Sequence, residues 1–176
     1  MQTLEVPITI ETNCDVLGGE TAVAKHIRRA VMAAAQHLGF TVGSIGVLIT
    51  DDETIHRINR EHLAHDYPTD VISFAYTQQP PTVEGELVAS LDTATRESSE
   101  LGWPTLSELL LYVIHGTLHI CGLDDQTVEA RTQIRLAERQ VLAEIGIINA
   151  LEVDPDAEPG AVDRYRTDTQ ASVEYL

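Results

Sequence analysis

A chain of 176 residues with 43% hydrophobic side chains can bury one sizeable core, and an aromatic content of 5% makes that core mainly aliphatic. With 28 Asp and Glu against 11 Lys and Arg, the net charge is −17. That excludes a general polyanion binder, because the long-range field repels nucleic acid unless a basic patch or a metal offsets it. The two cysteines, Cys14 and Cys121, are too few for a disulfide framework and suit a reducing cytoplasm.

The N-terminal MQTLEVPITIET has no basic region followed by an apolar one and reads as lacking a secretory signal. EVPITIE (5–11) alternates apolar and polar residues and predicts a strand. From Thr21 to about Leu38 the apolar Val23, Ile27, Val31 and Ala34 recur on one helical face, and Gly39 is the stop. TVGSIGVLIT (41–50) predicts a second strand. DDETIHRINREHL (51–63) opens with carboxylates that suit a helix N-terminus, and Ile55, Ile58 and Leu63 supply a buried face. YPTD is a turn, since Pro68 bars Tyr67 from a helix. DVISFAY (70–76) and ELVASL (86–91) predict strands around a loop, TQQPPTVEG, and DTATRESSELG a short helix.

TLSELLLYVIHGTLHIC (105–121) is strongly helical, with Thr105 and Glu108 spaced as a capping box and Gly122 placed to end it. Its apolar run LLLYVI (109–114) is far too short to span a bilayer. A last helix runs from about Thr127 to Ile145, with Val128, Ile134, Leu136 and Val141 among its apolar positions. Residues 1–148 therefore read as one domain and 149–176 as a mobile acidic tail, in which seven acids and two arginines net −5. The plan is α+β: one mixed sheet of about four strands packed with about five helices.

Chemistry concentrates in HGTLHICGLDD (115–125). Residues four apart on a helix differ by about 40° in direction, so His115 and His119 point the same way. A helix presents two imidazoles to one metal ion in this way. Gly122 lets the chain turn back, which brings Asp124 or Asp125 within reach as a third, carboxylate ligand. Two imidazoles, one carboxylate and an open position describe a catalytic zinc site. The competing reading is a histidine pair at a helix contact with a capping turn behind it. Position 116 is Gly, so the general base of HExxH proteases is missing.

The same run resembles the signature of the YbeY family of bacterial endoribonucleases and ribosomal RNA maturation factors. His115, Gly116, Leu118, His119, Gly122 and Asp124 match it, and Asp125 stands where the family has its third metal-binding histidine. NREHLAHDYPTDVISF (59–74) is similar to a second family block through Asn59, Asp66, Pro68, Thr69, Asp70, Val71, Ser73 and Phe74, and GELVAS (85–90) to a family strand. The order and spacing hold over roughly residues 40–145.

The resemblance implies a metal site on a central helix, formed by His115, His119 and Asp125 and holding one divalent ion, zinc first among candidates. It implies a cytoplasmic, single-strand-specific endoribonuclease acting on small-subunit ribosomal RNA and in ribosome quality control. The ribosomal subunit or its proteins would be further partners, with neither DNA nor a membrane involved. Asp125 leaves the site one charge unit less positive than a neutral histidine does, which weakens activation of bound water and favours harder ions. Leu63 stands where the family places an RNA-contacting arginine, so Arg60 or Arg57, one and two turns earlier, is the candidate replacement. Asp124 is the candidate proton acceptor, or else a turn carboxylate capping its own backbone.

Lys25, Arg28 and Arg29 form a basic helix face, either an RNA or ribosome contact or an ordinary solvated surface. Cys121 reads as a buried thiol, His62 and His65 as surface residues, and Trp103 as a helix-entry anchor. Two other functions compete: a non-catalytic ribosome-assembly factor with a structural metal, and a metalloprotease-like hydrolase, against which the missing glutamate argues.

Overall fold

The structure, a computed structural model, describes residues 3–148; the predicted acidic tail, 149–176, lies outside them. The chain runs β1 (Leu4–Glu5), β2 (Ile8–Ile10), α1 (Glu20–His37), β3 (Val42–Thr50), α2 (Asp52–Leu63), β4 (Val71–Gln79), β5 (Thr82–Ser90), α3 (Leu91–Leu101), α4 (Thr105–Ile120) and α5 (Val128–Glu144), with one 3-10 turn at Asp15–Leu17. The five strands form one mixed sheet in the order β1-β3-β5-β4, with β2 also on β3. All pairs are parallel except β4 with β5.

The predicted α+β plan holds, with two local corrections in the strands. The first predicted strand is two short ones, because Pro7 lies between them and has no N–H to give the ladder. The predicted loop TQQPPTVEG is mostly strand: Thr77 to Gln79 pair with Glu84 to Thr82 across a tight Pro80–Pro81 turn. Its polar side chains crowd the end of the hairpin, which hides the strand period from a hydrophobicity reading.

Alternation along the strands divides the core. Val71, Leu87 and Ala89 face the large core shared with α1, α4 and α5. Their neighbours Ile72 and Val88 point the other way and pack with Ile55 of α2. Among the described residues, α2 covers the second face, and its line of Ile55, Ile58 and Leu63 is the seam. The molecule's middle is α4, which packs on α1, α3, α5, β4 and β5 and is buried at every position from Ser107 to Ile120.

Two glycines let α4 seat this deeply. A Cβ on Gly116 would lie 3.1 Å from Val71 Cγ2, so Gly116 is the close approach of α4 to the sheet. A Cβ on Gly85 would lie 2.5 Å from Ile120 Cγ2 and 2.7 Å from the Phe74 carbonyl oxygen.

The start of α4 also differs from expectation. Pro104, not Thr105, is the N-cap residue, and no side chain caps the helix. Thr105 instead shares a hydrogen bond with Ser98, and the Glu108 carboxylate accepts the Trp103 indole N–H at 2.6 Å. The indole is the stronger competitor for that carboxylate because both groups lie against the core, away from water. On α5 the buried line is Ile134, Ala137, Glu138, Val141 and Leu142; of the other apolar positions, Val128 is exposed and Leu136 half-buried.

Candidate metal centre

The centre is built by the way α4 ends. Gly122 sits at φ 103°, a left-handed conformation that costs a residue with a Cβ more than glycine. Its N–H donates to the His119 carbonyl at 2.9 Å and the Leu123 N–H to the Leu118 carbonyl at 3.0 Å. This pair of bonds is a Schellman termination, which satisfies the last carbonyls and folds the chain back over the helix end. Asp124 then accepts the Gln126 N–H at 2.9 Å, and Arg131 reaches back to the Asp125 carbonyl at 3.3 Å. The turn is thereby held from both sides, with the Asp125 side chain over the histidines.

His115 and His119 are 1% and 0% exposed, and their Nε2 atoms approach to 2.9 Å. Asp125 Oδ2 lies 3.7 Å from His119 Nε2 and 4.0 Å from His115 Nε2. Ligand atoms of a tetrahedral zinc ion, with bonds of about 2.0–2.1 Å, stand about 3.3 Å apart. The triangle is therefore of the right size for one small ion, and the three atoms are ones that could bind it.

A fourth residue fixes the chemistry of the donors. His115 Nδ1 is 2.5 Å from Oε1 of Glu138, which is itself buried. With the Glu138 carboxylate ionised, it can only accept, and the tautomer that fits this contact carries its proton on Nδ1 and turns the Nε2 lone pair to the cluster. Carboxylate–histidine pairs of this kind orient metal ligands and raise their basicity. Glu138 escaped the sequence reading because it stands 23 residues from His115 on another helix. One signal was present: it lies on the α5 face bracketed by Ile134 and Leu142, where a carboxylate without a partner is costly.

A model of the endoribonuclease YbeY family matches residues 9–146. The chain belongs to this family. Endoribonuclease YbeY of Rhodopirellula baltica is 52% identical over 155 residues, covering 87% of this chain and 79% of that one. Endoribonuclease YbeY of Persephonella marina is 35% identical over 122 residues, covering 67% and 80%. A solved Thermotoga maritima protein shares the fold at a TM-score of 0.56 and 18% identity, covering 87% of this chain and 99% of the other.

The YbeY blocks read from the sequence have separate places in the structure. His115, His119 and Asp125 come together. Asp124 is exposed and belongs to the turn. Arg57 and Arg60 are exposed on α2, and Leu63 beside them is packed into the α2 seam, so these three lie on the other face of the sheet from α4. The Pro-Thr-Asp block is a brace: Asn59 Nδ2 donates to the Tyr67 carbonyl at 2.9 Å, and Asp70 accepts the Val71 N–H at 2.8 Å. His62 lies edge-on to Phe74, and His65 stacks on Tyr67. Cys121 is buried, and burial pushes its thiol up to about 12, which removes it from thiolate chemistry at neutral pH.

Proposed function

We propose that this chain is a metal-dependent endoribonuclease, the activity in its relatives' names, that cuts single-stranded ribosomal RNA during small-subunit maturation in the cytoplasm. The observation that carries the reading is the convergence of two Nε2 atoms and Asp125 Oδ2, with Glu138 behind His115. His115, His119 and Asp125 are the ligands in this reading, and zinc is the ion best matched to two imidazoles and a carboxylate. A divalent ion there supplies Lewis acidity toward a phosphodiester and lowers the pKa of a bound water.

The chain's own residues do the rest. Glu138 keeps the His115 proton on Nδ1 and the ring in place. Asp124 shapes the turn, and its solvent-facing carboxylate is the candidate proton acceptor. Arg60, with Arg57, is the candidate RNA phosphate contact. No helix among the described residues is long and apolar enough to cross a membrane.

Metal content and cleavage of a single-stranded RNA are to be measured together on wild type and His119→Ala. The variant is expected to lose both; equal metal in the two proteins would sink the ligand assignment. A second reading, a non-catalytic assembly factor with a structural metal, is favoured by the position of Arg57 and Arg60 across the sheet. It takes over if fully zinc-loaded wild type leaves the RNA intact.

A further inference from the structure

The basic face of α1 opens a second region of interest, independent of the metal centre. Lys25, Arg28 and Arg29 line a cleft of about 410 Å³ together with Met32, Gln36 and the end of α5 at Glu144 and Ile145. All three cations are exposed. None makes an ion pair or hydrogen bond among the described residues, although the chain as a whole carries 28 acids. The chain leaves α5 at this cleft, and residues 149–176 follow with a net charge of −5.

The pattern of acids in that segment is regular. Glu152, Asp154, Asp156 and Glu158 occupy alternate positions in LEVDPDAEPG. In an extended chain, alternate side chains share one side at a spacing of roughly 6.6 Å. Cations at i, i+3 and i+4 on a helix stand about 5–6 Å apart. The reach also fits: the seven residues from Ile145 to Glu152 span up to about 24 Å, against about 16 Å of helix from Gln36 to Lys25.

We infer that the acidic stretch 152–158 docks in the α1–α5 cleft of its own chain and pairs with Lys25, Arg28 and Arg29. A tether of a few residues gives the segment an effective concentration in the millimolar range, which no dilute partner matches. Docking there covers a basic helix face of an acidic protein. An RNA strand would have to displace it against both that concentration and the net charge.

Lys25 is the chain's single lysine, which makes the test clean. Full-length protein is treated with a carbodiimide that joins amines to carboxylates without a spacer, and the cross-linked peptides are identified. Lys25 is expected to link within one chain to an acid of 152–158. The link should disappear in 1 M salt, where the screening length falls to about 3 Å. It should also disappear in the variant carrying E152Q, D154N, D156N and E158Q, whose substitutions lie outside the described residues. A second readout is Lys25 acetylation, expected to be slower in wild type than in that variant. The inference is overturned if Lys25 links to Glu144 or another body residue instead, or if isotope-mixed samples show the link between chains. It is overturned equally, in favour of an RNA face, if wild type shows no link and added single-stranded RNA protects Lys25 equally in both proteins.

Discussion

Two helices of this protein end in much the same way. Helix α4 stops at Gly122 with φ 103° and is followed by Asp124 and Asp125; α2 stops at Ala64 with φ 57° and is followed by Asp66. Both carry histidines near their ends. On α4 the two rings are buried, share a face and meet a returning carboxylate. On α2 and just past its end, His62 is exposed, His65 pairs with Tyr67, and His56 meets Asp66 at 2.8 Å in a contact open to water. Histidines beside a left-handed turn and an acid are therefore not enough. Burial of both rings by neighbouring helices, and a second carboxylate behind one of them, separate a candidate metal centre from a surface cluster.

The sharpest way to break this contrast is to remove one ring from each helix. His119→Ala should reduce bound zinc to background, and His62→Ala should leave it at the wild-type stoichiometry, both by elemental analysis. Loss of zinc in both variants would make the α2 cluster part of the centre.

Next in size is the carboxylate behind the ligand. Glu138→Gln keeps an acceptor but removes the charge, and should weaken zinc binding roughly 10- to 100-fold in a chelator competition. The circular dichroism spectrum should stay unchanged. Unaltered affinity would reduce Glu138 to a packing residue.

The two turns give a smaller, opposite pair of effects. Gly122→Ala forces a Cβ into the left-handed region and should cost about 1–2 kcal/mol in denaturant unfolding, with weaker zinc binding as Asp125 shifts. Ala64→Gly relieves the same conformation and should gain up to about 1 kcal/mol without touching zinc. Equal effects of the two changes on zinc would contradict the role given to the α4 turn.

The smallest stability effect is expected at Arg60, which is exposed. Arg60→Ala should shift stability by no more than about 0.5 kcal/mol and leave zinc in place. If Arg60 touches a phosphate, single-stranded RNA binding should weaken and its salt slope should fall by about one. An unchanged slope would remove Arg60 from the RNA contact.

Sequence and structure agree where a signal is local. The His115 and His119 spacing, the Gly122 stop and the nearby Asp125 lie within one short run, so periodicity and turn chemistry bring them together. The strands of the sheet interior were legible from their apolar runs. The end of the β4–β5 hairpin was not, because it carries Thr, Gln and Glu, most of them exposed. Glu138 and the separation of Arg60 from the centre needed tertiary information: which helix lies beside α4, and which face of the sheet α2 covers. The alternation of Val71 with Ile72 settles the second point only once the neighbours of each are known.

The enclosure of α4 also governs traffic. With His115 and His119 at 1% and 0% exposure, neither imidazole offers a path to solvent, whereas the Asp125 side chain is 23% exposed. An ion held by these three residues would meet solvent past that carboxylate. Its exchange would then depend on movement of the 122–127 turn and not on unfolding of the helix. Affinity and exchange rate would rest on different parts of the molecule: the buried His115–Glu138 pair on one side, and the turn that carries Asp125 on the other.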